Sequence, residues 1–157
     1  MKVFHPYGSK ERLFEMVEKV NNVVLPKENK LLNEEVLPVE TKNNTIKEFI
    51  KYADKELGLE GDVPDFKLSY DSALAQEMKS FGKYTPDSGE LVVVAANRNL
   101  ADVLRTIAHE LIHHKQHKEG RISNDSSTTG SDIENEANAL AGVLMRNFGK
   151  DNPIIFE

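Results

Sequence analysis

Residues 99 to 120 constrain this chain more than any other stretch. Leu100, Val103, Leu104, Ile107, Ala108, Leu111 and Ile112 recur at helical spacing, so a helix here has an apolar face by which the rest of the molecule anchors it. Asn99 stands where a cap residue accepts a backbone N–H, Asp102 suits the positive first turn, and Gly120 marks the stop. Beside the apolar stripe the helix carries His109, Glu110, His113, His114 and His117, which include four of the chain's five histidines.

The spacing of these residues has a chemical meaning. On a helix, His109 and His113 lie one turn apart, about 40° around the axis and roughly 6 Å along it, so both imidazoles can reach one ion. The order His-Glu-x-x-His is that of a zinc hydrolase, in which Glu110, beside the ion, takes a proton from water. A catalytic zinc needs a third protein ligand and one open position. His117 lies eight residues beyond His109, about 12 Å along an unbroken helix, too far for both to bind at ~2 Å. His114 points about 100° away from His113, which suits a supporting hydrogen bond, a transition-state donor or plain solvent exposure. A better source is the last helical segment, SDIENEANALAGVLMRNFG, with Ile133, Ala137, Leu140, Ala141, Leu144, Met145 and Phe148 as its core stripe. It offers Glu134 and Glu136. Ser131 and Glu134 also form a capping box, worth ~1 kcal/mol, which competes for the Glu134 carboxylate.

The remaining chain reads as support. Ser9 caps a first helix whose apolar face is Leu13, Phe14, Val17 and Val20, ended by Asn21 and Asn22. Residues 23–44, with two prolines and mixed charge, read as an extended connector, and a second helix runs from Thr45 to Leu57, capped by Asn44, burying Ile46, Phe49, Ile50, Ala53 and Leu57. Phe66, Leu68 and Tyr70 alternate as a strand; residues 72–79 fit either a short helix or irregular chain. Residues 81–84 and 90–95 flank Thr-Pro-Asp-Ser-Gly, a hairpin turn, and the unbroken apolar run Leu91 to Val94 predicts a strand covered on both faces. The polar loop 121–131 reads as a connector that could also serve as a lid. These elements amount to an α+β fold: a small antiparallel sheet or hairpin packed on the histidine-bearing helix, a C-terminal helix bringing a further ligand, and two helices before them. The expected organisation is one compact domain, with an N-terminal helical segment over 1–60 and a core over 61–157.

Composition narrows the function classes. With no cysteine among 157 residues, disulfide frameworks and thiolate zinc sites are excluded, so any metal is held by histidine and carboxylate. A net charge of -6 argues against nucleic-acid binding, and the cations Lys115, Lys118 and Arg121 read as solvated surface. There is neither an apolar run of membrane-spanning length nor the apolar core of a signal peptide, so a cytoplasmic, non-membrane location is expected.

Over roughly residues 81–146 the sequence resembles the ImmA/IrrE-type metallopeptidases, and more broadly the gluzincins, a group of zincins. The resemblance rests on His109-Glu110-Leu-Ile-His113 and on Glu134-Asn-Glu-Ala137-Asn138 followed by Ala141. It implies zinc as cofactor, Glu134 as third ligand with Glu136 in reserve, and Asn138 as the partner that holds a ligating histidine. Departures are Ile112 where glycine is usual, Leu140 where an aromatic is usual, and no proline after Met145. By the same resemblance, Glu90 to Ala95 or its partner 81–84 binds an extended peptide substrate as an added strand. Tyr84, His114, His117 and Arg121 are the available donors to a developing oxyanion. The expected activity is zinc-dependent endopeptidase hydrolysis; the alternative is a non-catalytic structural or interaction protein that retains the metal site. The opening HPYGSKERLFEMVEKVN is similar to leader segments of phage-encoded proteins, which implies a phage particle or an infected cell as the setting.

Overall fold

A computed structural model describes residues 10–21, 38–121 and 132–156. Ser9, the connector as far as residue 37, the loop 122–131 and its Ser131 lie outside the described residues. Among the described residues the chain is α+β, with five α-helices, a three-stranded mixed sheet and a closing 3₁₀ turn. Helices α1 (Lys10–Asn21) and α2 (Val39–Leu57) precede strand β1 (Asp65–Ser69); α3 (Ser72–Met78) leads to the hairpin β2 (Gly82–Thr85) and β3 (Glu90–Val94). Then come α4 (Leu100–Lys118), α5 (Asp132–Asp151) and the turn Pro153–Phe156. No helix among the described residues is long and apolar enough to cross a membrane.

The central helix α4 forms where its pattern places it. The Asn99 side chain accepts the Asp102 N–H at 3.0 Å, and Leu100, Val103, Leu104, Ile107, Ala108, Leu111 and Ile112 are all buried. One face meets β2 and β3, another meets α5, and α2 closes a third side. Apolar side chains from α1 through the final turn join in a single cluster around it, from Met16 and Phe49 to Leu111, Phe148 and Ile155.

The sheet order is β1-β3-β2. Thr85 to Gly89 make the expected hairpin turn, closed by the Gly89 N–H to the Thr85 carbonyl at 2.8 Å, with Gly89 at φ +70°, a left-handed geometry that glycine adopts without strain. β2 and β3 pair antiparallel. β1, however, lies parallel to β3, with Phe66 opposite Leu91 and Leu68 opposite Val93, so the sheet is mixed rather than purely antiparallel. The central place of β3 explains its apolar run: Leu91, Val93 and Val94 are buried and Val92 is half-buried.

Three local expectations shift. α2 begins at Val39, six residues before Thr45, so 39–44 belong to the helix and Asn44 is not its cap. Pro38 supplies the first carbonyl, to the Lys42 N–H at 3.0 Å, and the Asn43 amide oxygen is occupied by the Tyr70 hydroxyl at 2.9 Å, which removes its competition with the helix backbone. On α1 the buried residues are Met16, Val17 and Val20, with Leu13 packed beside them, whereas Phe14 is 63% exposed. Phe14 sits about 100° round the helix from Leu13, off the stripe. Leu140 on α5 falls at the edge of its stripe and is exposed, while Ala137, Ala141, Leu144, Met145 and Phe148 are buried. Of the undecided segment 72–79, Ser72–Met78 is helical, capped by Asp71 through the Ala73 N–H at 3.0 Å.

Candidate metal centre

Two helices bring three ligand-type side chains together. His109 and His113 stack one turn apart on α4, ring centroids 4.5 Å apart and nearly perpendicular, and Glu134 enters from the first turn of α5. One donor atom from each lies within 4.8 Å of the others. The Glu134 carboxylate spans both rings, Oε1 at 3.0 Å from His109 Nε2 and Oε2 at 3.1 Å from His113 Nε2. Two donors held at ~2.0 Å by one tetrahedral ion stand about 3.3 Å apart, so these separations fit a shared cation. The group is accessible but sheltered: the side chains of His109 and Glu134 are 23% and 20% exposed, that of His113 only 8%.

Glu110 borders this group. Its Oε2 lies 3.3 Å from His109 Nδ1, and the strand backbone passes beside it at Gly82, where an added Cβ would stand 3.6 Å from the same oxygen and 2.4 Å from the Thr106 methyl. The Glu110 hydrogen bond raises the His109 imidazole above its ordinary pKa, with burial opposing and Glu134 adding to the rise.

Behind His113 stands Gln116, a residue the motif did not single out. It is 1% exposed, and its amide orientation follows from its surroundings. The amide nitrogen faces two acceptors, the Ile133 carbonyl at 3.1 Å and Glu136 Oε1 at 2.6 Å, so the amide oxygen must be the atom 2.8 Å from His113 Nδ1. Glu136 thus points away from the histidine pair. Gln116 and Arg121, whose guanidinium is 3.0 Å from Glu136, hold its carboxyl below the usual carboxylate range. Asn138, expected to hold a ligating histidine, is exposed; the amide bonded to His113 comes from α4 itself. The signal was present in the sequence, since His109, His113 and Gln116 follow the i, i+4, i+7 course of one helix face.

Residues 67–146, just over half of the chain, match the model of the peptidase family M78, the IrrE N-terminal-like domain. The chain belongs to this family. No curated protein and no solved structure matches it. In this IrrE-like domain the matched segment runs from β1 through most of α5 and contains all three ligand-type residues.

The other histidines of the IrrE-like domain are engaged elsewhere. His114 is 2% exposed; its Nε2 donates to the Asp62 carbonyl at 2.8 Å, and burial keeps the ring's pKa below the ordinary histidine value. Nδ1 therefore accepts, and the Tyr84 hydroxyl donates to it at 2.9 Å. Burial pushes the Tyr84 hydroxyl up to about 12. His117 approaches the same hydroxyl at 3.4 Å, and Arg121 pairs with Glu119 and Glu136. The four side chains considered as oxyanion donors thus spend contacts on Asp62, on one another or on surface carboxylates.

Proposed function

We propose that this chain is a zinc-dependent endopeptidase of the gluzincin type, with His109, His113 and Glu134 as ligands and Glu110 as general base. The observation that carries this reading is the convergence of those three donors within 4.8 Å, beside Glu110 and inside the segment that matches the IrrE N-terminal-like family. Two imidazoles and one carboxylate are the donor set of a catalytic zinc that keeps a fourth position open. When bound, zinc would polarise a carbonyl and lower the pKa of water to about 7.

The chain's own residues supply the rest. Glu110, whose side chain is only 12% exposed, takes the proton from the attacking water and returns it to the leaving amine. β3 is paired on both sides, by β1 and β2, so it cannot accept a further strand. Among the described residues β2 pairs only with β3, and at Gly82 its backbone runs beside Glu110. An extended peptide added along β2 would therefore pass the base, which favours 82–85 over 90–95 as the substrate strand.

Glu110→Gln provides the test. The variant is expected to retain zinc while cleavage of a quenched-fluorescence peptide library falls by ~10²–10⁴-fold, the usual contribution of a general base. If the zinc-loaded wild type cleaves nothing in that library, or the variant cleaves as fast as the wild type, the peptidase reading fails and a non-catalytic role for the site takes its place.

A further inference from the structure

Gln116 is a polar side chain sealed between two helices, and burial of an amide is costly unless its donors and acceptor are all used. Here they are used on three groups around the centre at once. The oxygen meets the ring of His113, while the nitrogen reaches across to α5 at Ile133, the residue immediately before Glu134, and at Glu136, two residues after it. We propose that Gln116 is the positioning residue of this metal centre: it selects the His113 tautomer whose Nε2 is free to ligate, and it clamps the turn of α5 that presents Glu134. The proposal rests on the zinc reading above and adds to it a residue that touches no metal.

With both acceptors of α5 claiming the amide N–H groups, only the oxygen remains for His113, so Nδ1 must carry the ring proton. That leaves the Nε2 lone pair directed at the side where Glu134 Oε2 stands 3.1 Å away. With a neutral ring two electron-rich atoms face each other there, an arrangement that a shared cation or a second ring proton makes favourable. Ligating histidines generally have their second nitrogen held in this way, and losing the holder typically costs 10–100-fold in metal affinity. An apolar residue of similar size would fill the same space between α4 and α5 yet lose both functions. A purely structural role predicts a different outcome: the bonds lost to His113, the Ile133 carbonyl and Glu136 would lower stability while zinc affinity stayed unchanged.

The experiment measures zinc dissociation constants by competition with a chromogenic chelator, and reads the imidazole nitrogen NMR signals of the metal-free proteins. Gln116→Leu is expected to weaken zinc binding by about 10–100-fold and to remove the His113 Nδ1–H signature. Gln116→Glu keeps an acceptor for His113 but sets two carboxylates against each other across the helices; combining it with Glu136→Gln returns an amide donor to the pair. That double variant is expected to recover the Nδ1–H signature and most of the lost affinity. An unchanged dissociation constant in Gln116→Leu overturns the positioning role, as does a double variant no better than Gln116→Leu. Should Gln116→Leu fail to fold, Gln116→Glu with and without Glu136→Gln decides: affinity that rises with the second change supports the clamp, and equal affinity overturns it. If the wild type takes up no zinc, the metal reading itself falls. The His113 signal then decides the tautomer separately, supporting Gln116 if it depends on residue 116 and overturning it if it does not.

Discussion

His113 and His114 are neighbours in sequence, both buried, both on α4, and they face different chemistry. Each has a hydrogen-bonded Nδ1, but the proton runs in opposite directions. Gln116 accepts from His113, which leaves Nε2 for whatever lies beside Glu134. Tyr84 donates to His114, whose Nε2 is already given to the Asp62 carbonyl. One ring is oriented with a nitrogen to spare; the other is saturated and works as a tie between α4, β2 and the turn before β1. Counting histidines therefore does not identify ligands. The partner of the second nitrogen does.

The comparison breaks most visibly if the two rings are removed in turn. His113→Ala is expected to abolish zinc uptake, a loss larger than the 10–100-fold typical of a supporting partner. His114→Ala is expected to retain zinc and lose about 2 kcal/mol of stability, since the Asp62 carbonyl loses its bond and the Tyr84 hydroxyl keeps only the longer contact with His117. Chelator competition and urea unfolding read the two effects separately, and a His114→Ala protein that unfolds like wild type but binds no zinc would reverse the assignment.

A second test moves along β2, whose alternate residues Gly82 and Tyr84 meet α4 at the two sides of the comparison. Gly82→Ala would press a methyl to 2.4 Å from Thr106 Cγ2, and Thr106 cannot turn aside freely because its hydroxyl is bonded to Asp102 and Arg98. The expected cost is about 1–3 kcal/mol, measured by urea unfolding. Thr106→Ser removes the obstructing methyl and keeps the hydroxyl, so the double variant should regain most of that stability; no recovery would mean that the close contact is not the cause.

The smallest effect is in alkaline titration. Burial raises Tyr70 and Tyr84 to about 12 from an ordinary 10. Because the folded values lie above the unfolded ones, their contribution is complete below pH 10 and is lost as pH climbs from 10 to 12. Tyr70→Phe should flatten that decline in unfolding midpoint, whereas an unaltered slope would remove Tyr70 from its cause.

What could be read in advance was local. The α4 stripe, its Asn99 cap, the hairpin turn and the His-Glu-x-x-His spacing are each written within a few neighbouring residues. The features that escaped depend on distant chain. Asn43 is recruited by Tyr70, 27 residues away, so helix α2 starts early where its own sequence favours a loop. The parallel pairing of β1 with β3 leaves no trace in the alternation of either strand. Gln116 shares a face with the histidines, but its burial and two of its three partners exist only once α5 has docked. The same docking places Glu134 between the rings and Glu136 against Arg121, a distinction that a capping box and two nearby carboxylates left open.

Gly89 joins two pairings that look independent. Its N–H closes the hairpin on Thr85, and its carbonyl accepts from Asp65 N–H at 2.9 Å, the first residue of β1. Slipping β1 by one position would break that bond and turn Phe66 and Leu68 from the core toward solvent. The glycine that ends the turn thus also fixes where the distant strand begins, and the register of the whole sheet is a single decision rather than two.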